Sequence, residues 1–401
     1  MGAEEYRYVI IGAGLAGASA VEGIREKDAD GPLLLIGNEK HLPYDRPPLS
    51  KKLWLGKKKV EEIFIHDRAF YEKNKVMLAL GSGVTKLDAS AKTVELSDGK
   101  QYRFGKLLLA TGGSPKRLPI PGGDAEGICY YRALDDYLRM RGDAKEGASA
   151  VVVGGGFIGS EIAAALAVND VRVTMIFPEA YLCSRVFPEP LGRAIQDNYR
   201  SRGAVILSGD RPVSFGKEGK GFLTLTEKGA RLESDILIVG IGIAPSTELA
   251  QKAGLLTGDG IVVDENLRTS NPDIYAAGDN AFFPYQALGR AARVEHWDNA
   301  LNQGRQAGRN MAGADEAYTY MPYFFSDLFE FGYEAVGEVS AGLETFADWQ
   351  KENDTGVIYY LKDGRVRGVM MCNVWDKVEQ ARELIRKGGK QSPESLRGAI
   401  R

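Results

Sequence analysis

Two stretches of this chain have the residue types and spacing to cradle a pyrophosphate: Gly12-Ala13-Gly14-Leu15-Ala16-Gly17 and Gly154-Gly155-Gly156-Phe157-Ile158-Gly159. In a G-x-G-x-x-G run the first glycine makes a tight turn. The second lets the backbone approach a phosphate, and the third packs a helix against a strand. The diphosphate then sits on the positive end of that helix. One such run arises by chance. Two, each after an apolar stretch and upstream of an acid, point to two bound dinucleotides, and proteins of that kind usually pass electrons between them.

The acids sharpen this. Glu39 lies about 20 residues beyond Gly17, where a carboxylate accepts hydrogen bonds from a ribose 2′-hydroxyl. Glu179 stands in the same place after the second run, and a carboxylate there favours NADH because it repels the 2′-phosphate of NADPH. Arg185 lies nearby and is a candidate phosphate partner that works against that preference.

The elements that must position these residues are readable from periodicity. Tyr6 to Ile11 is a continuous apolar strand, Ala16 to Arg25 a helix with a small-residue face, and Leu33 to Ile36 a second buried strand. The pattern recurs as strand 150–153, helix 157–168 and strand 172–177. Between the copies, 76–80, 84–87 and 92–96 are predicted as short antiparallel strands with Asp98-Gly99 as a turn. Leu107 to Leu109 runs into Ala110-Thr111-Gly112-Gly113, and Ile236 to Val239 into Gly240-Ile241-Gly242. Ile274 to Ala277 ends in Gly278-Asp279. A hairpin over 356–371, turning at Asp363-Gly364, is closed by a helix from about 376 to 387. Joints at glycine-bearing turns divide the chain into 1–113 and 243–317 as one nucleotide domain, 114–242 as the other, and 318–401 as a C-terminal α+β domain.

Composition excludes several classes. The 401 residues are 44% hydrophobic and 26% charged, with a formal net charge of −3, so neither a nucleic-acid nor a membrane surface is indicated. No apolar run approaches the roughly 20 residues of a membrane span. Cys129, Cys183 and Cys372 form no close pair, so no redox dithiol is expected, and three histidines without ligand spacing make a metal site unexpected. A strand starting by Tyr6 is read as leaving no room for a leader, and the cytoplasm is the default compartment.

The most distinctive loop is Pro43-Tyr44-Asp45-Arg46-Pro47-Pro48-Leu49-Ser50-Lys51. On local grounds Ser50 caps a helix through Trp54, Lys51 is a solvated first-turn lysine and Arg46 is a surface arginine. Glu161 alone reads as an ordinary helix-surface acid.

That loop, however, resembles the flavin-contacting segment of the apoptosis-inducing factor family and the related bacterial ferredoxin reductases. The resemblance continues through Leu108 to Pro115, Gly154 to Glu161, Ile176 to Glu179 and Ala276 to Asp279. It extends to Arg293 to Ala300, Phe325-Ser326-Asp327, Gly332 to Gly337 with Glu334, and Asn373 to Trp375. It implies an α/β fold: two Rossmann-like dinucleotide-binding domains in a glutathione reductase-like arrangement, plus the C-terminal α+β domain. It implies FAD on Gly12 to Gly17 and Glu39, with Arg46, Arg132, Val84 and the Ala110-Thr111-Gly112 turn as further contacts. Gly278 and Asp279 would hold the ribityl chain, Pro47 would pack on the isoalloxazine, and Glu295, His296 and Trp297 would lie over its pyrimidine end. NADH would sit on Gly154 to Gly159, with Glu179, Arg185, Gly242, Phe325 and Glu334 around it. Lys51 and Glu161 would form a buried ion pair beside flavin N5 and the nicotinamide, reversing the local reading of both.

The chain departs from these families at two aromatic positions. Apoptosis-inducing factor has histidine where Trp297 stands, whereas the ferredoxin reductases usually have tryptophan there; both groups tend to have tryptophan where Phe325 stands, so nicotinamide stacking at Phe325 is expected to differ. The long C-terminal insertion and basic extensions of apoptosis-inducing factor are missing, and no cell-death or DNA-binding role is expected. The leading reading is an FAD-dependent NADH oxidoreductase of the apoptosis-inducing-factor-like type, in which hydride passes to FAD N5 and electrons go on to an unidentified acceptor. A small electron-carrier protein or a quinone-like molecule would serve as that acceptor. Two alternatives stand beside it: the NADH-dependent reductase component for a ferredoxin or rubredoxin, and an NADH-triggered switch controlling homodimer formation or partner binding.

Overall fold

The computed structural model describes residues 4–400, and the chain divides into two compact units. One comprises the described residues through Asp45, Val60–Ser114 and Pro245–Pro322; the other comprises Arg46–Lys59, Pro115–Ala244 and the described residues from Tyr323 onward.

In the first unit the apolar strand Glu4–Ile11 lies between Leu33–Gly37 and Gln101–Leu109, parallel to both. Val9 pairs with Leu34 on one side and Leu107 on the other, and all three side chains are fully buried. Such continuous apolar strands are what a sheet covered on both faces requires. Val76–Leu80 extends the sheet beyond Leu33–Gly37, with Leu33 opposite Val76. The pairing is parallel, not antiparallel as expected from the sequence. The helix Arg68–Lys73 lies in the connection, and the chain returns to the starting edge before it re-enters the sheet. Val84–Asp88 and Thr93–Leu96 do pair antiparallel, and Ile274–Ala276 joins parallel to Gln101–Leu109.

The helices Leu15–Arg25 and Trp297–Met311 meet backbone to backbone. A Cβ added at Gly304 would lie 2.2 Å from the Ala16 carbonyl oxygen, and one at Gly308 2.2 Å from that of Ala20. The small residues in both helices thus set how closely they approach.

The second unit holds three sheets. Ser149–Val153 lies between Arg172–Phe177 and Ile236–Val239 in a four-stranded parallel sheet, and Pro212–Glu218, Gly221–Thr226 and Arg231–Ser234 form an antiparallel one. Val151, Ile176, Leu237 and Val239 pack with Phe215 and Phe222 into one core. The third sheet is antiparallel, in the order Tyr323–Leu328, Phe331–Gly337, Arg365–Cys372, Thr355–Lys362, Glu344–Lys351. Its hairpin and the helix Val378–Lys387 lie where the alternating pattern and the Asp363-Gly364 turn predict them. Among the described residues no helix is long and apolar enough to cross a membrane, and no group of side chains could hold a metal ion.

Candidate functional site

The two glycine runs fold into the same geometry twice. Gly12 has φ +118°, and a Cβ there would lie 2.1 Å from the Ala110 carbonyl oxygen; Gly154 has φ +122°, and its Cβ would lie 2.3 Å from that of Gly240. Only glycine fits either place. A Cβ at Gly17 would meet the Gly12 oxygen at 2.0 Å, and one at Gly159 would meet the Gly154 oxygen at 2.0 Å, so each helix is pressed onto its own turn. Gly14 and Gly156 differ. Nothing lies within 4 Å of a Cβ at either, and each begins a helix, Leu15–Arg25 or Phe157–Val168, with no side chain capping it. An open approach to an uncapped helix N-terminus is what a bound diphosphate needs.

In the first unit several other candidate residues surround the ends of the same strands. Glu39 follows Leu33–Gly37 and accepts a hydrogen bond from the Tyr44 hydroxyl at 2.7 Å. Val84 begins the next strand but one, half-buried. Ala110 donates its N–H to the Ile11 carbonyl at 2.8 Å, and the Thr111 hydroxyl accepts from Asn280 Nδ2 at 2.9 Å. Gly278, at φ +87°, packs against Ala16 and donates its N–H to Gln303 at 2.8 Å. The Asp279 carbonyl accepts from Arg293, whose guanidinium also pairs with Glu295. Trp297 Nε1 donates to Asp45 Oδ1 at 2.8 Å, so the indole is tied to the residue before Arg46. His296 precedes the helix Trp297–Met311; loss of water around its imidazole outweighs the nearby Asp279 carboxylate and lowers its pKa to about 4.

The second unit brings Lys51, Glu161 and Phe325 together. Pro47–Ser50 is a single 3₁₀ turn, not the cap of a longer helix: the Ser50 hydroxyl donates to Glu161 Oε2 at 2.6 Å instead. Two donors secure this turn, since the Leu49 carbonyl accepts from Trp54 Nε1 at 2.8 Å and from the Tyr131 hydroxyl. Lys51 is therefore buried, not solvated as its neighbours alone suggest. Its Nζ lies 3.1 Å from Glu161 Oε1, the two side chains being 8% and 7% exposed. The ammonium also stands 4.6 Å from the Phe325 ring centre. Glu161 is inward on Phe157–Val168, a helix almost wholly apolar around it, so the surface reading of this acid fails for the same reason.

The remaining candidates in this unit are more dispersed. Arg46 donates to the Arg132 carbonyl at 2.8 Å. Glu179 is half-buried and Arg185 exposed, their carbonyls accepting from Gly209 and Ala341 respectively. Gly242, at φ +96°, has open space where a Cβ would stand. Glu334 pairs with Phe325 across the sheet; its buried Oε2 has no hydrogen-bond partner, and burial with the Asp376 charge raises its pKa. Local patterns do not signal Ser50, Ser326, Asp327, Asp45 or Asn280 as functional, because each is polar in a segment where turns and edges are already polar. Cys129, Cys183 and Cys372 are all free and buried, with burial pushing the first two thiols up to about 12.

A chain with this cradle twice over binds two dinucleotides, and that is the class the fold defines. It belongs to the pyridine nucleotide-disulphide oxidoreductase family, whose profile matches residues 6–304; the profile for "apoptosis-inducing factor, mitochondrion-associated, C-term" matches residues 307–355. It is similar to the ferredoxin–NAD(+) reductase component of the anthranilate 1,2-dioxygenase system of Burkholderia cepacia, 36% identical over 97% of this chain and 96% of the relative. It is also similar to the mitochondrial apoptosis-inducing factor 1 of Dictyostelium discoideum, 35% identical over 96% of this chain and 79% of that one. Among solved structures, the covalent putidaredoxin reductase–putidaredoxin complex matches with a TM-score of 0.91 and 32% identity, covering 98% of this chain and 95% of that one. The protein is an FAD-dependent oxidoreductase that takes hydride from NADH and passes electrons onward. In spite of the family's name, its three cysteines include no dithiol for disulfide chemistry.

Proposed function

We propose that this protein delivers electrons from NADH to a small one-electron carrier protein of the ferredoxin or rubredoxin type. The buried Lys51–Glu161 pair carries the hydride-accepting half of this reading, because a cation held away from water can stabilise negative charge on a reduced flavin, while the free, buried cysteines offer no dithiol as the next acceptor. The relatives support the carrier: several are reductases of ferredoxin, putidaredoxin or rubredoxin.

Bound FAD supplies the two-electron chemistry at N5, accepting hydride directly from the nicotinamide, so the protein needs no nucleophile or general base. Gly12 to Gly17 with Glu39 would hold its ADP half, and Arg46, Pro47, Val84, Ala110 to Gly112, Arg132, Gly278, Asp279 and Glu295 to Trp297 the remainder. Gly154 to Gly159 would take the NADH pyrophosphate, and Glu179 its ribose. Lys51 would stabilise the negative charge that hydride brings to the ring, an electrostatic effect enlarged where water is excluded. Glu161 balances that cation in the buried site. Glu334 presents an acceptor to a bound amide, and Phe325 a flat apolar face.

The test is anaerobic reduction of the purified yellow protein with NADH, followed by mixing with an oxidised [2Fe–2S] ferredoxin and, separately, a rubredoxin and a soluble quinone. Rapid reoxidation by either iron protein, with the quinone slower, supports the reading. A spectrum that persists with all three, together with a shift to a dimer on sizing, replaces it with an NADH-triggered switch.

A further inference from the structure

Three successive residues of the edge strand Tyr323–Leu328 bear on the Lys51–Glu161 pair. The Phe325 ring lies 4.6 Å from the ammonium, the Ser326 hydroxyl donates to Glu161 Oε1, and Asp327 Oδ2 stands 3.7 Å from Lys51 Nζ. With Ser50 on Oε2 at 2.6 Å, the carboxylate is held at both oxygens: one takes a serine hydroxyl, the other a serine hydroxyl and the ammonium.

This arrangement restricts a side chain that would otherwise be loose. The last torsion of a glutamate is broad, and a lysine head on its four-carbon stem follows its partner. Ser50 precedes Lys51 directly, so it cannot fix Glu161 independently of the lysine. Ser326 can, because it comes from a strand of the C-terminal sheet and not from the turn that carries Lys51. It is 2% exposed, which leaves no water to replace its hydroxyl. Asp327, 51% exposed, is a second and solvent-side anion for the same ammonium, and would draw Lys51 outward were Glu161 free to turn.

On the reading that the ion pair serves hydride transfer, we infer that Ser326 is a positioning residue for it. Its hydroxyl locks the Glu161 carboxylate so that Lys51 keeps its close inward contact with Glu161, at 3.1 Å, over the longer solvent-side one with Asp327, at 3.7 Å. The C-terminal sheet thereby enters the redox chemistry without touching the transferred hydride.

The test compares Ser326→Ala, Ser326→Thr and Lys51→Met with the parent holoenzyme, by anaerobic stopped-flow reduction with NADH and by dye-equilibrium titration of the flavin potential. Ser326→Ala is expected to lower the limiting reduction rate about ten-fold while the NADH dissociation constant stays within about two-fold. Its potential should move in the same direction as that of Lys51→Met, by less. Ser326→Thr, which keeps the hydroxyl, should recover most of the rate. A parental rate and potential in Ser326→Ala, with Lys51→Met impaired, overturns the positioning role and leaves the ion pair's role standing. An unimpaired Lys51→Met removes the reading beneath it. Should Ser326→Ala lose FAD, Ser326→Cys keeps the volume with a weak donor: a slow rate supports the role, and a parental rate overturns it.

Discussion

Lys51 Nζ lies 3.1 Å from Glu161 Oε1, and both side chains are more than nine-tenths buried. Taking one member of a buried pair away leaves a charge that the interior does not compensate, at a cost of about 3–5 kcal/mol; removing both charges costs far less. Lys51→Met should therefore lower stability by an amount near the lower end of that range. Adding Glu161→Gln, which can still bond to Ser50 and Ser326, should restore more than half of it. Chemical denaturation of the three proteins checks this, and a double variant no more stable than Lys51→Met would contradict it.

The two glycine cradles make separable predictions. Gly156→Ala puts a methyl into open space at the head of an uncapped helix, so the fold and the FAD content should be retained while the NADH dissociation constant rises at least about ten-fold. Gly159→Ala drives a methyl to 2.0 Å from the Gly154 oxygen and should destabilise the protein itself. Flavin absorbance and NADH titration on the two variants distinguish ligand loss from unfolding.

His296 adds an acid-sensitive contribution. Its pKa is about 4 in the folded protein against 6.5 for the free group. Between those values the unfolded chain binds a proton that the folded chain does not, so the stabilisation is fully present above pH 6.5 and falls as the pH drops towards 4. Thermal midpoints at pH 7.5 and 5 should differ less in His296→Gln than in the parent. Equal differences would show that His296 is not the group responsible.

Cofactor choice should rest on Glu179. Glu179→Ala should narrow the NADH-over-NADPH preference in kcat/KM by about ten-fold or more, through relief of repulsion against the 2′-phosphate. An unchanged ratio refutes the assignment.

Much of this was legible in the chain because it is written in local patterns. Fully apolar strands such as Leu33–Gly37, glycines at the i, i+2 and i+5 places, and the Asp363-Gly364 turn each act through their own neighbours. What escaped depends on residues distant in sequence. The parallel pairing of Val76–Leu80 is set by its crossover, not by its apolar run. The burial of Lys51 is set by Trp54 and Tyr131 fastening the Leu49 carbonyl, and by Glu161 more than a hundred residues away. Ser326 reads as one polar residue on an edge strand, and only the folded sheet brings it to Glu161.

On this mechanism Lys51 stabilises charge arriving with hydride and is not simply a grip on NADH. The most direct measurement is anaerobic stopped-flow bleaching of the flavin by NADH and by its C4-deuterated form, in the parent and in Lys51→Met. An isotope effect is expected in both, with a limiting rate about a hundred-fold lower in the variant and a dissociation constant changed by less than about three-fold. A limiting rate that is unchanged, or one that falls only in step with a loss of NADH affinity, would contradict it.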